Sequence, residues 1–135
     1  MANDFTVSID IASDPERVWA LAGDPVRVIE WFTVIESCMV AGTERRVTTP
    51  RGEIVETLGE RSDAQRFYEY SVVSGGAPMH SHIARISVEE VVGGSRVSWR
   101  QNGAPIDPEV DLEARLGGVM TAGLKTLKAM LEGGA

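Results

Sequence analysis

Between Asp4 and Ile11 the chain alternates strictly. Phe5, Val7, Ile9 and Ile11 fall on one side, and Thr6, Ser8 and Asp10 on the other. A period of two over this length predicts a strand with one buried face. Two Asp-Pro pairs then break the pattern. Asp14 with Pro15 reads as an N-cap followed by proline at the first helical position, and Ser13 with Glu16 fits a capping box. Val18, Trp19, Leu21 and Ala22 give the helix that follows an apolar side. Asp24-Pro25 opens a second short helix ending near Trp31-Phe32. Six strand-like runs come next: "VIESCMVAG", "RRVTT", "EIVETLGER", "RFYEYSVV", "HSHIARISVEEV" and "RVSWRQN". Turn chemistry separates the later ones ("TPRG", "RSDAQ", "SGGAP", "VGGS"), and the short regular spacing predicts an antiparallel meander. The period then changes. Leu112, Leu116, Val119, Met120, Leu124, Leu127, Met130 and Leu131 recur at steps of three and four, which predicts a long amphipathic helix from about residue 108 to 132, started by Asp107-Pro108. One sheet covering one apolar helix face makes an α+β domain. Gly117, Gly118 and Gly123 lie inside this helix. They either open interior volume and hinge the helix, or mark a kink or late start near 117.

Composition narrows the functional classes. The chain has 135 residues, enough for one domain with its own core. Its formal charge of −7, with basic residues scattered, argues against nucleic acid and anionic membranes as partners. The N-terminal stretch lacks the basic and apolar regions of a signal peptide, and no apolar run approaches the ~20 residues of a membrane span. A single cysteine, Cys38, excludes an internal disulfide and suggests a reducing, cytoplasmic setting. With no basic neighbour in its strand, Cys38 is expected to be an inert thiol.

The element order, together with "VSIDIASDPERVWALAGD", Trp31, "RGEIVETL", "RFYEYSVV", "PMHSHIARISV" and "GGSRVSWR", resembles the START/SRPBCC superfamily, and within it the polyketide cyclase/dehydratase-like group. The resemblance covers nearly the whole chain. It implies a helix-grip fold: a curved seven-stranded antiparallel sheet around a long C-terminal helix, with two short helices after the first strand and a hydrophobic cavity inside. The stretch from Val40 to Val47 is shorter than in many relatives, and His82 stands where relatives carry a tyrosine-like residue. The superfamily shares a cavity rather than a catalytic motif, so chemistry has to be sought in individual residues.

In "HSHIARISV" the two histidines, His80 and His82, share a face with Ala84, Ile86 and Val88. The aliphatics mark that face as the inner one, so both histidines are expected to line the cavity near its mouth. Two histidines are too few for zinc, and neither CxxC nor HExxH occurs, so no metal is expected. A neutral His82 imidazole in an apolar pocket could move protons, and a hydrogen-bonded rim residue is the plainer alternative. Arg46 and Glu56 flank "TPRG". If Thr48 pairs with Ile54, Arg46 faces Glu56 across the hairpin. Glu56 shares a face with Ile54 and Leu58, and an inward carboxylate must be paired or protonated. It is therefore a candidate acid or base, with Arg46 a candidate carboxylate binder, or the two form a structural ion pair. Trp31, Tyr68, Tyr70, Trp99 and Met120 complete the candidate ligand-binding set with Arg46, His80 and His82. The expected role is binding a small hydrophobic, aromatic or polyketide-like molecule in an internal cavity. Its enzymatic form is cyclisation or dehydration without a cofactor, carried by His82 or Glu56. A carrier or sensor of a lipid or metabolite, and a protein-interaction module, are the alternatives. Homodimerisation is left open.

Overall fold

The computed structural model describes residues 3–133. Strands β1 (Asp4–Ile11), β2 (Ser37–Ala41), β3 (Glu44–Thr49), β4 (Gly52–Ser62), β5 (Phe67–Ser74), β6 (Met79–Val91) and β7 (Gly94–Pro105) form one antiparallel sheet. Its order is β1-β7-β6-β5-β4-β3-β2. Six strands thus follow as successive hairpins, and the first strand pairs with the last. Two short helices, α1 (Pro15–Ala22) and α2 (Val28–Trp31), connect β1 to β2, and a long helix α3 (Leu112–Gly133) follows β7. Register shifts in β4 and β6 mark bulges, which bend strands and tighten the sheet's twist.

The helix starts show how local chemistry competes. Asp14 caps α1 as its sequence predicts, accepting a hydrogen bond from Arg17 N at 3.0 Å. The other two Asp-Pro signals do not start helices. Asp24 and Asp107 instead close turns onto Val26 N and Glu109 N. The helices begin four and five residues after these aspartates, at Val28 and Leu112. Asp111 caps α3 by accepting from Ala114 N at 3.1 Å, and Asn3 Oδ1 accepts from Leu112 N at 2.8 Å. Both donors belong to the first turn, where no carbonyl is available within the helix. From there α3 runs unbroken through Gly117 and Gly118.

The helix lies along β1 and β7, and α1 packs against β6 and β7. Leu112, Met120, Leu124, Leu127 and Leu131 form its buried stripe. The inner sheet face answers with Phe5, Ile11, Val47, Tyr68, Tyr70, Ala84, Ile86, Val88, Val97 and Trp99. Between α3 and β7 sit the aromatic rings of Trp31 and Phe32, which stand edge-on to Trp99 at centroid distances of 5.4 and 5.0 Å. Gly123 makes room for them. A Cβ there would lie 3.0 Å from Phe32 Cδ1 and 3.6 Å from the Trp31 ring. Gly123 is thus the point where α2 and α3 come close.

Candidate functional site

The β3–β4 hairpin decides which arginine enters the interior. Thr49 pairs with Gly52 across a two-residue loop, so Thr48 lies opposite Glu53 and not Ile54, and Arg45 lies opposite Glu56. Arg46, expected to face Glu56, pairs instead with Val55 and is exposed. It is held by Glu44 and Glu53 at 2.8 and 3.1 Å. Arg45 is 3% exposed and Glu56 8%. The Arg45 Nε donates to Glu56 Oε1 at 2.6 Å, and its Nη1 donates to the Pro25 carbonyl at 2.9 Å and to Tyr68 Oη at 3.2 Å. Its guanidinium also lies 4.8 Å from the centre of the Tyr70 ring. Glu56 is therefore inside, as its alternation predicts, and it is paired.

A bulge separates the fates of the two histidines. Met79 pairs with Pro105 and Ser81 with Ala104, which leaves His80 as the extra residue of β6. His80 is exposed, contrary to the expected inner position, and Met79 packs against the core. Past the bulge the alternation resumes with His82 half-buried on the inner side and Ala84, Ile86 and Val88 buried beyond it.

The β5–β6 ladder ends at Tyr70 and Ala84. Beyond that pair, Val72 N donates to His82 Nδ1 at 3.0 Å, so an imidazole nitrogen takes the place of a ladder carbonyl. The lone pair on Nδ1 is thereby used, which places the ring proton on Nε2 and makes it the donor to Gln101 Oε1 at 2.6 Å. Gln101 in turn donates through Nε2 to Tyr70 Oη at 3.2 Å, and Trp99 Nε1 donates to the same oxygen at 3.1 Å. Tyr70 Oη receives both bonds, so neither uses its own proton. Arg45 and Gln101, two central members of this polar set, were not among the residues singled out from sequence. Gln101 continues the Val97–Trp99 alternation, and Arg45 follows from counting back from a two-residue turn.

Trp31 is fully buried. Its indole Nε1 is the one buried side-chain nitrogen or oxygen without a hydrogen-bond partner among the described residues. The other two tryptophans are paired, Trp99 with Tyr70 and Trp19 with Asp63 Oδ1 at 2.9 Å. An unmet buried donor costs about 1–3 kcal/mol, so one in the middle of an otherwise satisfied interior calls for a functional explanation.

The chain's only two tyrosines, Tyr68 and Tyr70, are both 5% exposed or less. Burial pushes both phenols above the ordinary value of 10.0; Arg45 opposes this at Tyr68, and Glu56 adds to it at Tyr70. A raised phenol pKa in the folded state stabilises the fold below the ordinary tyrosine range, and that stabilisation is lost as pH rises through and above it. An alkaline titration followed at the tyrosinate absorbance band is expected to show no ionising tyrosine near pH 10 while circular dichroism remains native, and two released together when the fold opens. A phenol titrating near 10 in the native protein would contradict the packing described here.

Two concavities open to the surface. One, of about 230 Å³, lies at the sheet end near the β5–β6 loop and is lined by Val72, Val73, Gly75, Pro78, Met79 and Ile106 among others. The second, of about 310 Å³, lies over the outer side of the sheet beside Glu69, Ile83, Arg85 and Arg100. The space between α3 and β7 holds Trp31 and Phe32. Among the described residues no group of three or more His, Cys, Asp or Glu is placed to hold a metal ion, and no helix is long and apolar enough to cross a membrane. Cys38 is half-buried, and burial raises its thiol above the usual range.

Comparison with known proteins gives a consistent picture. The family model described as "Polyketide cyclase / dehydrase and lipid transport" matches residues 2–132. No curated protein matches the chain. Among solved structures, the protein XoxI from Bacillus cereus is similar at 30% identity over 97% of this chain and 96% of its own, with a TM-score of 0.86. A START superfamily protein from Mycobacterium smegmatis shares the fold at 12% identity, covering 98% and 99% of the two chains with a TM-score of 0.78. The major latex-like protein 151 from Panax ginseng shares it at 14% identity, with 95% and 96% covered and a TM-score of 0.80.

Proposed function

Because the chain belongs to the polyketide cyclase / dehydrase and lipid transport family, we propose that it binds a small hydrophobic molecule, aromatic or polyketide-like, between α3 and the inner face of the sheet. Family and fold both suggest a helix-grip domain with a hydrophobic ligand. The observation that carries the proposal is the buried, unpartnered indole N–H of Trp31 within the Trp31–Phe32–Trp99 ring cluster. A core that served packing alone would gain from an all-carbon ring at that position, since the donor only adds a desolvation cost. Tyr70 and Met120, also buried on this inner side, extend the apolar surface available to a ligand.

The same geometry favours binding over proton transfer. His82 gives its one lone pair to Val72 N–H, and Glu56 is held by Arg45. Either group would have to break a buried bond before acting as a base, so a carrier or sensor fits these residues better than a cyclase or dehydratase does. Arg46 and His80 are exposed, and the proposed site does not use them.

Native mass spectrometry of the protein as purified, followed by titration with flat aromatic probes read by tryptophan fluorescence, tests this. A retained small molecule, or saturable one-to-one quenching strongly weakened in Trp31→Ala and unchanged in His80→Ala, is the expected result. Neither a retained molecule nor saturable quenching would overturn the proposal in favour of a protein-interaction module.

A further inference from the structure

We infer that the ligand presents an uncharged carbonyl-type oxygen to Trp31 Nε1–H, and that the site discriminates against carboxylates of the same shape. The inference rests on the binding reading above and specifies its chemistry. It follows from the balance of donors and acceptors in the interior. Trp31 has an indole proton with no acceptor, and neither bond to Tyr70 Oη uses that hydroxyl's proton. Both side chains touch Trp99, Trp31 through its ring and Tyr70 through its hydroxyl. The acceptors near them are taken: Gln101 Oε1 by His82, and His82 Nδ1 by Val72 N–H. A ligand entering this cluster meets spare donors, so it must bring an acceptor.

Charge excludes the obvious anionic acceptor. Arg45 is the one buried cation among the described residues, and it is already bonded to Glu56, Tyr68 and the Pro25 carbonyl. A ligand carboxylate would leave water without a free counter-charge and with the Glu56 carboxylate in the same interior. A ketone, quinone or ester oxygen carries no such desolvation cost and satisfies the indole. Phe32, the half-buried ring of the cluster, stands edge-on to Trp99 and against Gly123. Its place is the one a flat ligand ring would take.

The test uses three probes of one ring size: naphthalene, 2-acetylnaphthalene and 2-naphthoate at pH 7. Proton–nitrogen correlation spectra of the ¹⁵N-labelled protein contain three indole signals, one from each tryptophan. The Trp31 signal, identified by its loss in Trp31→Phe, is expected upfield of the hydrogen-bonded pair from Trp19 and Trp99. Saturation with 2-acetylnaphthalene should move it downfield. The ketone should bind about tenfold more tightly than naphthalene, a step of about 1.4 kcal/mol, and about tenfold or more tightly than 2-naphthoate. Trp31→Phe should keep naphthalene binding and lose the preference for the ketone. Equal binding of ketone and naphthalene with an unmoved Trp31 signal overturns the donor role while leaving the binding reading intact. Equal binding of the naphthoate overturns the charge discrimination, and so does a ketone preference that survives in Trp31→Phe for the donor role. Should that variant fail to fold, the wild-type shift and the three affinities decide. Binding of none of the three overturns the binding reading itself, and this inference with it.

Discussion

Arg45→Met is expected to lose about 3–5 kcal/mol of folding stability, the range for stranding one member of a buried ion pair. Arg46→Met, one residue away, should stay within about 0.5 kcal/mol because its partners are exposed surface carboxylates. Arg45 is 3% exposed, and its loss would leave Glu56 without its 2.6 Å partner, Tyr68 Oη without its donor, and the Pro25 carbonyl with the weak Cys38 Sγ donor at 3.7 Å in place of a guanidinium N–H. The double variant Arg45→Met/Glu56→Met removes both charges together and should recover most of the loss, since paired buried charges add little net stability over apolar groups of similar volume. Urea unfolding of the four proteins measures all of this. Equal effects at Arg45 and Arg46 would mean that the hairpin register is other than described.

His82→Ala is expected to cost about 2–3 kcal/mol, because it strands two groups at about 1–3 kcal/mol each and the half-buried position lets water recover part of that. Val72 N–H would lose the imidazole nitrogen that stands in for a ladder carbonyl, and Gln101 Oε1 would lose its donor. The effect should also reach beyond the residue itself. With Gln101 unpinned, its amide would no longer be fixed toward Tyr70, so hydrogen exchange at Val72 N–H and next to Tyr70 should quicken together. His80→Ala, at the exposed bulge position, should change neither stability nor exchange. A His82→Ala protein as stable as His80→Ala would remove His82 from the sheet's bonding scheme and return it to the list of free groups that could act on a ligand.

The contrast between these neighbouring residues shows where alternation along a strand carries information and where it stops. Strand existence, strand order as a run of hairpins, and the apolar stripe of α3 were legible because each depends on a repeating local pattern. The side of each strand was legible wherever aliphatics accompanied the polar residue. Glu56 was placed inside by Ile54 and Leu58, and His82 by Ile86 and Val88. What failed failed by a single residue. A hairpin register one position off pairs Arg46 with Glu56, and a period of two turns that shift into the opposite face. Alternation alone turns His80 inward, since the inserted residue of a bulge leaves no mark in hydrophobicity. The Asp-Pro signals at 24 and 107 are ambiguous for a related reason. Asp before Pro favours a turn as much as a helix start, and only the first of the three, Asp14, caps the helix that follows it.

The amino-acid order alone settled the class of fold, the existence and apolar face of the long helix, and the acidic, single-cysteine character of the chain, because these are sums over local preferences and composition. Tertiary packing settled which of two adjacent arginines is buried, which of two histidines is tied into the sheet, and that Gln101 links His82 to Tyr70. It also left Trp31 with a donor that nothing satisfies. The bonds behind the first three outcomes join residues 10 to 31 apart in the chain and bring them within about 3 Å, and hydrophobic alternation within one strand carries no record of which residue lies across from it on the next.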